Sequence, residues 1–296
     1  MKTHTAKIYV RLLASFLVLA FFLTSCEWIE IEFDYGEDYE TDGNMSVHII
    51  DVGQGDSIFA QLPQGQTLLI DAGSRGSEDI VIEYISAMGV DMLDYVVATH
   101  PHEDHIGGLD EVISAFEVGK VYMPDAAATS KTFEDLLDAI ENSGCEVGTA
   151  FAGESLFDFQ GVSAEFIAPN RNYDNLNDAS AVIMLDYAGV SFLLAGDAES
   201  PSENDIIENY SGNLRADVLK IGHHGSETAT SDEFLRQVSP SYAVISCGTG
   251  NSYGHPHEEV LDRLEMLRET QVYRTDLDGT VVFTTDGESI AVTTSG

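Results

Sequence analysis

One stretch constrains this chain more than any other. Thr99-His100-Pro101-His102-Glu103-Asp104-His105 follows directly on the apolar run Leu93-Asp94-Tyr95-Val96-Val97-Ala98. The run reads as a buried strand, so three imidazoles and a carboxylate are delivered together at a strand end. In extended backbone alternate residues share a face, so His100 and His102 point the same way and can hold one cation. Asp104 and His105 open the next helix and can turn toward a second cation beside the first. Imidazole with carboxylate suits Zn²⁺, and Mn²⁺ or Fe²⁺ where oxygen ligands are plentiful. Of the 9 histidines, seven stand at 100, 102, 105, 223, 224, 255 and 257, each after a strand-like run and among Gly or Pro. Open strand ends in layered folds are where sites form, so these histidines are site candidates.

The rest of the pattern says what layers surround them. SVHIIDVGQGDSIFAQL (46–62) holds two β-rich runs broken at Gly53-Gln54-Gly55. QTLLIDAG is a strand ending in Asp71, and SEDIVIEYISAMG is a helix stopped by Gly89. Strand and helix then alternate through KVYMP, TFEDLLDAIENSG and CEVGTAF. From 155 to 197 an antiparallel stretch intervenes (SLFDF, VSAEFIAP, SAVIMLDYAG, VSFLLAGD). Alternation resumes after Asp197, and the chain ends in a hairpin around Asp286-Gly287. Two similar sheet-plus-helix halves packed sheet to sheet, with helices outside, give an α/β fold of four layers, αββα. No linker separates the halves, so 45–296 reads as one domain.

Composition bears on partners. Lys+Arg number 13 against Asp+Glu 51, a net charge of -38. No basic run follows the N-terminal segment, which argues against a broad electrostatic footprint for nucleic acid or anionic membrane. The N-terminus itself reads as an address. Lys2, Lys7 and Arg11 precede the apolar LLASFLVLAFFL, which is too short to span a membrane comfortably. It ends in Leu23-Thr24-Ser25-Cys26, similar to a bacterial lipobox. Residues 1–25 are therefore expected to be a lipoprotein signal peptide, with Cys26 lipidated and residues 26–44 an acidic tether. That places the protein outside the cytoplasm, lipid-anchored at a bacterial cell surface. Cys145 and Cys247 sit in apolar segments and read as core thiols rather than a disulfide.

Six segments carry a resemblance: DVGQGDS (51–57), LLIDAG (68–73), THPHEDHIGGL (99–109), LLAGD (193–197), LKIGHHGS (219–226) and NSYGHP (251–256). HxHxDH is the hallmark of the metallo-β-lactamase superfamily. Together the segments resemble the hydrolase domain of ComEC-type competence proteins, over nearly all of 46–290, here as a free-standing lipoprotein. The resemblance implies the metallo-β-lactamase form of the αββα fold. It implies that Asp197 bridges two cations, and that His223 or His224 is the late ligand of the second. Adjacent residues on an extended segment face opposite ways, so one of the two is expected to ligate and the other to contact substrate. Asp71 matches a strand-end Asp that orients a ligand, His100 or His102. The chain departs from many relatives in one respect. No histidine occurs from 106 to 222, and Asn177-Asp178-Ala179-Ser180 stands where a further ligand of the first metal is usual. The first cation then has His100, His102 and Asp197, plus water or an Asn177 or Asp178 oxygen. The expected cofactor is one or two divalent transition metals, Zn or Mn.

Asn251, Tyr253 and His255 lie in a loop bounded by Gly and Pro. Tyr253 or His255 could donate to an oxyanion or protonate a leaving group; equally, the loop's polar groups could satisfy its own backbone. His257 starts a helix and reads as a cap-region residue. The expected chemistry is hydrolysis by a water that bound cations acidify, with Asp104, Asp197 and His255 in catalytic roles. The resemblance to ComEC-type proteins implies a phosphodiester as the substrate. An ester or lactone hydrolase on the same residues, and a non-catalytic lipoprotein that binds a ligand, are the alternatives. So acidic a surface repels polyanions over about 8–10 Å. A small or locally presented phosphodiester therefore fits better than long duplex DNA, with DNA kept as a candidate and no protein partner evident.

Overall fold

The computed structural model describes residues 43–210 and 212–296. The proposed signal peptide, Cys26 and the tether up to residue 42 lie outside the described residues. The chain divides into two units, and everything below belongs to the second, Tyr39–Gly296.

Strand β10 (Val190–Leu194) shows how the layers arise. Val190, Phe192 and Leu194 face one way and Leu193 the other, and all four are buried. Side chains alternate along a strand, so a strand buried on both faces must lie between two layers. The same holds for β3 (Thr67–Ile70), where Leu68 and Ile70 oppose Leu69, and for β9 (Val182–Tyr187), where Ile183 and Leu185 oppose Val182 and Met184. The inward set of both sheets forms a single core around Phe166, Phe192 and Phe283. Each such side chain contributes about 1.5–3 kcal/mol by leaving water. The outward set of the second sheet packs under α5 (Ser200–Asn209), α6 (Asp232–Val238) and α7 (Glu258–Glu265) through Ile206, Phe234, Leu235, Val260 and Leu264.

The first sheet runs β15-β14-β1-β2-β3-β4-β5-β6. Its strands are β1 (Met45–Ile49), β2 (Ile58–Gln61), β3, β4 (Met92–Val97), β5 (Glu117–Met123), β6 (Glu146–Thr149), β14 (Val281–Thr285) and β15 (Ile290–Thr294). The second runs β13-β12-β11-β10-β9-β8-β7, from β7 (Ser155–Phe159) and β8 (Val162–Ala168) to β11 (Val218–Lys220), β12 (Tyr242–Ile245) and β13 (Gln271–Arg274). In each sheet an antiparallel part gives way to parallel strands, β3 to β6 in one and β10 to β13 in the other. Helices α1 (Glu78–Ala87), α2 (Glu103–Ile106), α3 (Leu109–Ala115) and α4 (Lys131–Ser143) belong to the first half, and a short α8 (Thr275–Asp278) follows β13. Among the described residues no helix is long and apolar enough to cross a membrane.

One element crosses between the two halves. The C-terminal hairpin pairs with β1 and so joins the first sheet, not the half that precedes it. The reason is a bare edge: β1 would otherwise expose its backbone, and β14 covers it while Val281 and Phe283 fill the shared core. The expectation of two core thiols needs correction. Both are free; Cys247 is buried, but Cys145 is only partly so, in the short turn between α4 and β6.

Candidate metal centre

The candidate residues collect where strands end. Asp71 follows β3, and His100, His102, Asp104 and His105 follow β4 into α2. Asp197 follows β10, and a 3₁₀ turn, Gly222–Gly225, follows β11. The loop 50–57 between β1 and β2 adds Asp56. Gly55 in that loop has φ +136, and a Cβ there would meet the Asp104 carbonyl oxygen at 2.3 Å, so only glycine lets the loop close on α2.

Asp197, 1 % exposed, is the meeting point. Its Oδ2 lies 3.1 Å from His105 Nε2, 3.7 Å from His100 Nε2 and 3.7 Å from His223 Nε2. Its Oδ1 lies 3.6 Å from His224 Nε2, which is also 3.3 Å from Asp104 Oδ2. His102 joins through His100: its Nδ1 is 2.9 Å from His100 Nε2. The other ring nitrogens are held from behind. Asp71 Oδ2 is 2.7 Å from His105 Nδ1, and the same carboxylate accepts from the Thr99 amide at 2.8 Å and hydroxyl at 2.6 Å. Thr99 and Ser180 hydroxyls lie 3.2 and 3.3 Å from His100 Nδ1, and Ser180 Oγ also accepts from the Asp197 amide. The Ser246 carbonyl is 3.1 Å from His224 Nδ1.

Two corrections follow. Asp71 orients His105, not His100 or His102, because its φ of +58 turns the side chain toward α2. His223 and His224 do not face opposite ways. Both take left-handed backbone, φ 48 and 54, so the segment is a turn and both imidazoles approach Asp197.

Charge within the cluster is strongly coupled. Burial would raise the Asp197 carboxyl, but His105, His224 and His100 outweigh it and hold it well below the usual range. Burial opposes charge on His105 and His224 too. Asp197 and Asp71 nevertheless lift His105 well above its ordinary value, and Asp197, Asp104 and Asp56 lift His224 to about 9. His100 goes the other way, pushed down by burial and by His105. A metal ion fits this set on independent grounds. His105 Nε2, His224 Nε2 and Asp197 Oδ1 are buried with no hydrogen-bond partner. Buried polar atoms are nearly always partnered, so atoms left facing one another without a hydrogen bond suit a divalent cation, which would displace the ring protons. His100, His105 and Asp197 can close around one ion, and Asp104, His105 and His224 around another.

The remaining candidates separate. Asn177 Oδ1 is buried and unpartnered near the cluster, its Nδ2 being 3.5 Å from His223 Nδ1. Asp178 is instead turned to α5, where it accepts from the Ser202 amide at 3.2 Å. It is therefore engaged away from the histidines and is not a natural oxygen donor to the first cation. Asn251 uses both amide hydrogens and its oxygen inside its own loop, on Gly248, Tyr253 and His255, which leaves it nothing for a substrate. Tyr253 is 63% exposed and stacks on His255, whose ring lies 5.5 Å from that of His223. His257 is the N-cap residue of α7, and its Nδ1 accepts from the Glu227 amide. The open concavities of about 510 and 590 Å³ elsewhere on the molecule include none of these side chains.

Sequence reasoning passed over Asp56, Thr99, Glu199 and Lys220. Lys220 is fully buried, paired with Asp56, and its Nζ donates to the Gly196 carbonyl beside Asp197 at 3.1 Å. The signal was there: a lysine inside Val218-Leu219-Lys220-Ile221 demands a buried counter-charge.

A family model described as the metallo-beta-lactamase superfamily matches residues 50–249. The chain is 33% identical over 258 residues to ComE operon protein 3 of Bacillus subtilis, covering 80% of this chain and 32% of that protein. It is 32% identical over 245 residues to competence protein ComA of Neisseria gonorrhoeae, covering 82% and 32%. The chain thus spans about a third of the length of these relatives. Among solved structures, the metallo-beta-lactamase fold protein YhfI from Bacillus subtilis aligns with a TM-score of 0.56 at 12% identity, over 82% of this chain and 100% of that one. CmlA, a diiron beta-hydroxylase from Streptomyces venezuelae, aligns with a TM-score of 0.54 at 15% identity, over 81% and 54%.

Proposed function

This chain belongs to the metallo-beta-lactamase superfamily, in its ComEC-like branch, and from that premise we propose that it is a metal-dependent hydrolase of phosphodiesters. The observation that carries the reading is Asp197, buried, with histidines converging on both of its oxygens. One carboxylate offering an oxygen to each of two sites is what a paired-cation hydrolase needs. Fold likeness alone would not decide this, since a diiron beta-hydroxylase shares the architecture. The names of two relatives, competence protein ComA of Neisseria gonorrhoeae and recombination protein 2 of Haemophilus influenzae, favour a nucleic-acid-like phosphodiester over an ester or lactone.

When bound, divalent cations supply a water of lowered pKa and polarise a phosphoryl oxygen. His100, His102, Asp104, His105, Asp197 and His224 would hold them. The chain's other groups keep those ligands aimed: Asp71 fixes the ring of His105, Ser180 and Thr99 that of His100, and the Ser246 carbonyl that of His224. Burial and the flanking His223 and His224 push His255 down to about 4. It is then neutral at pH 7, suited to donating an N–H to developing negative charge and not to protonating a leaving group. With Asp+Glu far in excess, the cation-filled cleft is the attractive part of a repulsive surface. A small or locally presented phosphodiester, or a flexible DNA end, fits that field better than a long duplex.

The test sets bis(p-nitrophenyl) phosphate, single-stranded DNA, duplex DNA and a lactone side by side, each with Mn²⁺ or Zn²⁺. Phosphodiester turnover that requires the cation is expected. Lactone turnover far above every phosphodiester would assign the ester chemistry instead, and no turnover with no bound cation would leave a binding protein. Export with a lipid on Cys26 is proposed on the sequence motif alone. A fatty-acid probe should label the wild type and not Cys26→Ser.

A further inference from the structure

We propose that His223, aimed by Glu199, is a ligand of the first cation and stands in for the histidine missing between 106 and 222. The inference rests on the two-cation reading above. Its ground is a pattern shared by four rings. His100, His105 and His224 each have Nδ1 against a fixed partner and Nε2 turned to Asp197. His223 is built the same way: Nδ1 lies 3.0 Å from Glu199 Oε1, and Nε2 lies 3.7 Å from Asp197 Oδ2. A partner on the back nitrogen fixes both tautomer and ring angle, which is how ligating histidines are held.

Glu199 is itself anchored. Thr228 Oγ1 donates to its Oε1 at 2.6 Å, Asn175 Nδ2 to its Oε2 at 2.8 Å, and Asn177 Nδ2 reaches Oε1 at 3.4 Å. A side chain meant only to brush a passing substrate needs no such frame. The backbone argues likewise. Two successive non-glycine residues in left-handed conformation cost on the order of 1–3 kcal/mol each and persist only where the surroundings demand them. What they achieve is a division of one carboxylate: His224 takes Asp197 Oδ1, and His223 takes Oδ2. Oδ2 is also the oxygen that His100 faces, and His100 touches His102. His105 is near Oδ2 as well and can close with either set, with His100 and Asp197 or with Asp104 and His224; its place beside Asp104 on α2 assigns it to the second. His100, His102 and His223 thus form one group and Asp104, His105 and His224 the other, with Asp197 between. The His223 side chain is 23% exposed and that of Asp104 in the other group 25%, so each group reaches solvent through a ligand.

The full chain would be loaded with Mn²⁺ or Co²⁺, and its metal content, affinity by competition with a chromophoric chelator, and Mn²⁺ EPR or Co²⁺ absorption spectrum recorded. Wild type should hold two cations with a spin-coupled Mn²⁺ signal. His223→Ala should hold one, with a mononuclear signal. Glu199→Gln, which removes only the orienting charge and guards against misfolding of the first variant, should keep two but weaken one about 10–100-fold. If both variants keep two cations at wild-type affinity with unchanged spectra, His223 is a substrate contact and this proposal is overturned. A wild type without cations would instead overturn the metal reading itself, whatever the variants did.

Discussion

The two sides of Asp197 are built to different standards. On one side, the more closed one, Asp104 is 25% exposed, but both imidazoles, His105 and His224, are buried and each is braced from behind, by Asp71 and by the Ser246 carbonyl. On the other, His100 is buried, but His102 and His223 are only partly covered, and the carboxylate behind His223 comes from the rim. Asp104 and His105 belong to one short helix that Gly55 locks against the loop carrying Asp56. Both sides draw on the same two segments, one from each sheet, so what separates them is how firmly each ring is held. Preorganised ligands lose less freedom on binding, so the closed side should hold its cation tightly and the open side should exchange.

Breaking the shared member should have the largest effect. Asp197→Ala is expected to weaken both cations and lower kcat/KM by roughly 10³-fold or more, as removal of a central electrostatic stabiliser does. Metal content and phosphodiester kinetics check this, and loss of a single cation would mean that Asp197 does not bridge. Next, Asp104→Ala with His105→Ala should remove the closed-side cation while the open side still binds. If both sites empty together, the division between the sides is wrong. Asp71→Asn sharpens the comparison at smaller cost. It should weaken the closed-side cation by about 10–100-fold and the other by much less, because Asp71 holds His105 directly and His100 only through Thr99.

Acid should strike the fold without favouring either side. His48 in β1 is fully buried against Ser46 and Tyr84, and burial pushes it from 6.5 down to about 3. The folded state therefore needs the neutral ring. Stability is whole above about pH 6.5 and falls as pH drops toward 3, by up to about 1.4 kcal/mol per pH unit from this group. Urea unfolding between pH 7 and 4 should be steeper in pH for wild type than for His48→Gln; equal slopes would contradict the assignment. The smallest effect belongs to His257→Ala. Its Nδ1 serves the Glu227 amide, so kcat/KM should change by less than about 3-fold, the range of a surface loop adjustment.

The first group of donors was legible because it is local. His100, His102, Asp104 and His105 lie within six residues after an apolar run, and strand and helix geometry alone place them together. Asp197 was legible as a carboxylate at a strand end. The alternation of strands and helices, and the apolar faces that β3, β9 and β10 present on both sides, likewise follow from local patterning, helical spacing and short continuous apolar runs, which needs no knowledge of neighbours. What only the tertiary structure decided depends on contacts between segments far apart in the chain. The brace that Asp71 gives His105, the buried Asp56–Lys220 pair and the hold of Glu199 on His223 each join segments that periodicity cannot rank. The left-handed turn that sends both His223 and His224 to Asp197 is a backbone state uncommon for any residue but glycine, and two in succession depend on the surrounding structure, so propensity did not forecast it. The crossing of β14 to the first sheet was equally out of reach, because the exposed edge that attracts it exists only once β1 has paired with β2.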